Sequence, residues 1–176
     1  MQCYKHSLII GGTGMLAAAT LEVCRQSETT TILSRNAKAF VTENKLPPHF
    51  ALSIDYTDTG KLVPALKDHI SKYGPFDLAV LWMHSTGEES LVQLLDILEE
   101  NKCAIVHILG SASGDPRQQS NRITQKLGSS QKIIYRRTIL GHQETKHGQR
   151  WLNHDEISQG VLDTLTGKKD VIVGKL

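Results

Sequence analysis

Ser7-Leu8-Ile9-Ile10-Gly11-Gly12-Thr13-Gly14-Met15-Leu16-Ala17 is the stretch on which the fold turns. A short, largely apolar run stops at a glycine pair, which reads as a buried strand ending in a tight turn. A helix is expected from Gly14 to Gln26, with Leu16, Ala17, Leu21 and Cys24 on its inner side. One strand, one glycine turn and one helix are half of a βαβ unit, and the rest of the chain repeats the pattern.

Outward from that unit, Thr30 to Leu33 and Ala51 to Ile54 are strand-like. Leu62, Leu66 and Ile70 recur every four residues, a helical stripe that Gly74-Pro75 ends. Leu78 to Met83 is a nearly continuous apolar run, as in a strand covered on both faces. Leu91, Leu94, Leu95 and Leu98 form the next helical stripe, and Ala104 to Leu109 another buried strand. Asp115 to Leu127 reads as a weaker helix, with Pro116 suited to its first turn. Ile133 and Ile134 open a strand. Asn153 and Glu156 have capping-box spacing ahead of Ile157, Val161, Leu162 and Leu165; Gly167 suits the helix end, and Val171 to Val173 is the last strand. Strands alternating with amphipathic helices predict an α/β fold: a three-layer, doubly wound parallel sheet of about seven strands. No linker or repeat divides residues 1–176, so one domain is expected.

Composition narrows the classes. The chain has 176 residues, 39% hydrophobic and 22% charged, with a net charge of +2. That excludes a disordered chain, and twenty basic residues interspersed with eighteen acidic ones leave no footprint for nucleic acid. The apolar runs are strand-sized, so no membrane partner is expected, and no signal-peptide pattern is read at the start. Cys3, Cys24 and Cys103 are odd in number and lack C-x-x-C spacing; neither a disulfide framework nor a zinc site is indicated, and a reducing cytoplasm fits. Eight histidines show no H-x-x-x-H spacing, so no metal is expected.

The chemistry starts at the turn. Gly11, Gly14 and Ala17 have G-x-x-G-x-x-A spacing between the first strand and the first helix. Glycine lets backbone N–H groups approach a pyrophosphate, and the helix N-terminus adds its positive dipole end. Gly11, Gly12, Thr13, Gly14, Met15 and Leu16 are therefore the expected cofactor cradle, unless the turn serves the chain alone. Ser34, Arg35 and Asn36 close the second strand, twenty residues after Gly14, where a dinucleotide site reads the adenosine ribose. No acid for a 2′-hydroxyl stands there. A guanidinium pairs with a 2′-phosphate, so NADP(H) is favoured over NAD(H); Arg35 as a solvated loop charge is the alternative.

Taken together, Gly-Gly-Thr-Gly-Met-Leu at 11–16, Ser-Arg-Asn at 34–36 and Asp-Tyr-Thr-Asp at 55–58 resemble the cofactor half of the short-chain dehydrogenase/reductase family, which has the Rossmann fold. Gly110-Ser111-Ala112-Ser113 is similar to the serine-bearing end of that family's fifth strand, and Ile139-Leu140-Gly141 to its turn after the sixth. The resemblance implies that Asp55 and Tyr56 lie beside the adenine. It puts Met83, His84 and Ser85 where the family has Asn-Ala-Gly, so His84 is a cofactor contact or a plain strand-end histidine. The family's general acid is the tyrosine of Tyr-x-x-x-Lys. Here the matching spacing is Arg122 to Lys126, and the tyrosine is absent. Arginine stays protonated at working pH and cannot relay a proton. Lys126 could hold a ribose or be an exposed helical lysine; Ser111 or Ser113 could donate to a carbonyl. Tyr135 lies in a strand-like run and does not simply substitute.

Between the sixth strand and the last helix, where the family's enzymes carry a substrate lid, stand only His142 to Leu152, with Trp151 as the one large apolar residue. Trp151 either packs as core or anchors a partner. A small substrate, a partner subunit or no substrate suits so short a segment. Three readings stay open: an atypical NADP-dependent oxidoreductase, a non-catalytic protein that binds dinucleotide and senses redox state, and a Rossmann-like fold with a different site. A homo-oligomer is left open.

Overall fold

Side-chain size and branching sort the chain into strands that bury both faces and helices that bury one. The computed structural model describes residues 4–110, 116–127, 130–167 and 169–176. The strands are β1 (Tyr4–Ile10), β2 (Ser27–Leu33), β3 (Ala51–Leu52), β4 (Leu78–Leu81), β5 (Cys103–Gly110), β6 (Ile133–Leu140), β7 (His142–Thr145), β8 (Gly148–Trp151) and β9 (Val171–Val173). The helices are α1 (Ala17–Arg25), α2 (Ala37–Glu43), α3 (Thr59–Tyr73), α4 (Glu88–Glu99), α5 (Pro116–Leu127) and α6 (His154–Thr166), with short 3₁₀ turns at Pro48–Phe50 and Ser85–Gly87.

Seven strands form one parallel sheet in the order β3-β2-β1-β4-β5-β6-β9. Crossover connections between the parallel strands put helices on both faces. Leu8, Ile10, Leu81 and Ile105 meet α3, α4 and α5 through Leu62, Leu66, Leu94, Leu98 and Ile123. Ile9, Val80, Val106 and Ile108 meet α1 and α6 through Ala19, Val23, Ile157 and Val161. Leu8, Ile9 and Ile10 are all fully buried, as a strand covered on both sides requires. This is the three-layer doubly wound fold expected from the sequence.

The differences are local. Gly14 to Leu16 form turns, and α1 begins at Ala17, whose N–H donates to the Gly14 carbonyl at 2.9 Å. β3 is two residues long instead of four, because Ser53 and Ile54 leave the sheet toward the Asp55 loop. The segment expected as a short connection, residues 142–152, contains an antiparallel hairpin of β7 and β8. Its turn is closed by Thr145 Oγ1 donating to the Gly148 carbonyl at 2.8 Å. Cys24 and Cys103 are buried free thiols, and Cys3 lies outside the described residues. Among the described residues, no helix is long and apolar enough to cross a membrane.

Candidate functional site

Strand order in sequence reverses between β1 and β4, which are neighbours. Connections leave that point toward opposite faces and open a crevice beyond the C-terminal ends of the strands. Four loops gather there: Gly11–Leu16 after β1, Ser34–Asn36 after β2, Asp55–Tyr56 after β3, and Trp82–His84 after β4.

The glycine loop divides by what each glycine is for. Gly11 has φ +75° and donates to the Leu33 carbonyl at 3.1 Å; a Cβ there would collide with the Trp82 carbonyl oxygen. A Cβ on Gly12 would collide with Ile9 and Thr20, whose Oγ1 donates to the Gly12 carbonyl at 2.8 Å. Both glycines are demanded by the protein itself. Gly14 is different: it is exposed, and nothing lies within 4 Å of where its Cβ would stand. The chain has no need of a glycine there. Beside it, Leu16 stands at the N-cap of α1 and offers no side-chain cap, and the first turn holds no acid, so the helix's dipole end faces the crevice uncompensated by a carboxylate. From α6, Ser158 Oγ donates to the Met15 carbonyl at 3.2 Å and holds the loop from the far side.

Thr13 Oγ1 and Ser34 Oγ share a hydrogen bond of 3.0 Å, joining the first two loops. Arg35 and Asn36 are exposed. Asn36 precedes α2 without capping it, and Arg35 makes no hydrogen bond or ion pair among the described residues. Asp55 Oδ1 accepts from the Thr57 backbone at 3.0 Å and from Thr57 Oγ1 at 2.8 Å. Those bonds, with Arg35 as a lesser cause, hold its carboxyl below the usual range. Tyr56 is half-buried, its ring over Gly87 and its hydroxyl accepting from the His84 N–H at 3.3 Å. It braces the loop after β4. His84 is exposed, with its ring edge-on to Trp82 at 6.3 Å.

Of the expected catalytic residues, only Lys126 lies among the described residues. Lys126 stands in the last turn of α5, about 15 Å along the helix axis from its start. Its Nζ pairs with Asp96 Oδ1 of α4 at 2.7 Å. Ser111 and Ser113 lie outside the described residues, as does the side chain of Arg122. Tyr135 is the third residue of β6 and half-buried, its hydroxyl bonded to His107 Nδ1 at 2.9 Å. Burial pushes the Tyr135 hydroxyl up and His107 down to about 4, and His107 Nε2 has no partner among the described residues. Trp82 and Ser158 were not singled out from sequence. The apolar run through Met83 hinted at the first; a serine inside a helical stripe gives no signal for the second. Trp151 stands on the hairpin, 43% exposed. Residues 150–155 line an open recess of about 740 Å³ at the base of the hairpin.

Fold and edge together define a doubly wound Rossmann protein with a glycine-loop crevice. The fold is that of the short-chain dehydrogenase/reductases. A 3-ketoacyl-(acyl-carrier-protein) reductase from Brucella melitensis complexed with NADH has a TM-score of 0.72 and 15% identity, with 99% of this chain and 98% of that one covered. An NADH-dependent reductase complexed with NAD has a TM-score of 0.68 and 10% identity over 98% and 95%. A structure described as a short-chain dehydrogenase/reductase from Sinorhizobium meliloti has a TM-score of 0.66 and 10% identity over 98% and 96%. No family model matches the sequence, and no curated protein matches it.

Proposed function

We propose that the chain binds NADP(H) at the C-terminal edge of its sheet and works as an atypical oxidoreductase of the short-chain dehydrogenase/reductase family on a small substrate. The observation that carries this reading is Gly14: a glycine the protein does not need, in open space beside an uncapped helix N-terminus at the strand-order reversal. A pyrophosphate requires that gap. Proteins of this fold with NAD or NADH bound support a nicotinamide dinucleotide as the ligand. The preference for the 2′-phosphate rests on Arg35, an exposed guanidinium without a hydrogen-bond partner among the described residues.

When bound, the nicotinamide supplies hydride chemistry. The chain's part is to hold the dinucleotide on Gly11–Leu16, read the ribose with Ser34–Asn36, and steady the β4 loop through Tyr56. Ser111 and Ser113, next along the chain from the end of β5, are the proposed hydrogen-bond donors to a reacting carbonyl. The ion pair of Lys126 with Asp96 favours a second reading, a dinucleotide-binding protein that senses redox state without turnover. Titration of NADPH, NADH, NADP and NAD, followed by a carbonyl panel scored for substrate-dependent NADPH oxidation, decides between them. Failure of all four dinucleotides to bind defeats both.

A further inference from the structure

Three histidines gather at the opposite end of the sheet, under the C-terminal turn of α3. His6 and Thr31 are fully buried in β1 and β2. His6 Nδ1 lies 2.7 Å from the Gly74 carbonyl oxygen, and His6 Nε2 lies 2.8 Å from Thr31 Oγ1. Thr31 Oγ1 lies 3.0 Å from His69 Nδ1 on α3. His69 is half-buried and forms the outer end of the chain.

We propose that His69, Thr31 and His6 form a one-proton relay that locks the C-terminal end of α3 onto β1 and releases it in acid. The carbonyl at the inner end fixes the polarity. Gly74 O only accepts, so His6 Nδ1 carries a hydrogen. The bare Nε2 of neutral His6 accepts from the Thr31 hydroxyl, and the Thr31 oxygen accepts from His69 Nδ1–H. Every polar side-chain atom of this relay is then paired except His69 Nε2, where a proton enters. Its charge moves inward by two hops: His69 Nδ1–H passes to Thr31 as the Thr31 hydrogen passes to His6 Nε2. His69 is left neutral with its hydrogen on Nε2, and no atom is gained or lost. A second proton has no place. Both nitrogens facing Thr31 would then carry hydrogens, and the Thr31 hydrogen would be unpaired at a fully buried site.

The surroundings set the sign. Burial is the main cause that lowers both His6 and His69. Asp77, which accepts from the Lys5 and His6 backbone N–H groups at 2.9 and 3.2 Å, favours a charged His6. Asp68 favours a charged His69, while Lys72 and His49 oppose it. The Phe76 ring stands 4.3 Å from that of His6, and Tyr73 lies between His69 at 5.5 Å and His49 at 5.3 Å. With folded values below the ordinary one, the lock is at full strength above about pH 6.5 and weakens as pH falls through the lowered values. Gly74, at φ +87° and followed by Pro75, is the break at which the last turn parts from the sheet.

Ring-nitrogen NMR of the ¹⁵N-labelled chain tests the relay directly. At neutral pH both His6 and His69 are expected as Nδ1–H tautomers, and on acidification both rings follow one shared midpoint. Amides 70–76 keep their protection through that midpoint and lose it at lower pH, as the second proton enters, while those of α6 do not lose it. Thr31→Val splits the shared midpoint into two, and Thr31→Ser keeps it. An Nε2–H tautomer on His6, separate midpoints in the wild type, or α3 protection indifferent to pH overturns the proposal without recourse to any variant.

Discussion

Gly14 allows binding and folding to be tested apart. At Gly11 or Gly12 any side chain strikes the protein, so a loss of binding there would be uninterpretable. Gly14→Val meets nothing within 4 Å; the variant is expected to unfold at the wild-type temperature and to lose NADPH binding by about tenfold or more, the equivalent of about 1.4 kcal/mol. Unchanged affinity in a folded variant places the ligand elsewhere. Arg35 is the matching test of cofactor choice. A charge-assisted bond to the 2′-phosphate is worth about 1.5–3 kcal/mol, so Arg35→Ala should weaken NADPH tenfold or more and leave NADH alone. Equal loss for both would show that the guanidinium serves the fold or the pyrophosphate.

Among the elements, α5 and α6 carry opposite lessons. The capping box read from Asn153 and Glu156 is present in full: the Asn153 side chain accepts from Glu156 N–H, and Glu156 accepts from Asn153 N–H, each at 2.8 Å. Arg150 of β8 adds two bonds to the same carboxylate, at 2.9 and 2.8 Å, and holds Glu156 down to about 2. Asn153→Ala should cost about 1 kcal/mol, seen as a melting temperature lower by about 2–4 °C. Lys126 went the other way. The family resemblance left it as a ribose contact or an exposed helical lysine, and its Nζ pairs with Asp96. Lys126→Ala is therefore expected to leave NADPH binding and any turnover unchanged; collapse of a brisk activity would restore the pair to the chemistry.

Those two helices show what was legible in the chain. Local patterns were: the run from Leu78, the leucine stripe of α4 and the capping box all sit within a few residues of one another, where period and cap chemistry act. What was not legible depends on distant partners. β6 was read from Ile133 and Ile134, but not what holds its arginines: Arg136 donates to the Thr164 and Leu165 carbonyls, and Arg137 binds Asp170. The hairpin of β7 and β8 is almost wholly exposed, so no apolar alternation marks it. Of the crevice, the glycine loop could be read from sequence; the destination of Lys126 and the tether from Ser158 could not, since each depends on which helix arrives beside which.

For the whole molecule, the buried His107 sets an acid limit. Its value falls from 6.5 to about 4 on burial. The folded state thus binds fewer protons than the unfolded one in that window, and its stability is complete above pH 6.5 and declines toward pH 4. The loss amounts to about 3 kcal/mol from this residue. Denaturant unfolding of wild type and His107→Gln between those pH values should show a shallower pH slope in the variant, even where its absolute stability is lower. A slope unaltered by the substitution would assign the acid sensitivity to other groups.

The bond from Ser158 to the Met15 carbonyl spans 143 positions of sequence. Parallel sheets are built from such distant meetings, and chains rich in them fold slowly. During synthesis, β1 and its glycine turn leave the ribosome long before the helix that steadies them. The nascent chain therefore carries its most recognisable motif for most of its elongation without the tether that sets it. Nucleotide affinity should rise only once α6 has emerged and docked, so ligand capture would mark a finished chain rather than a growing one.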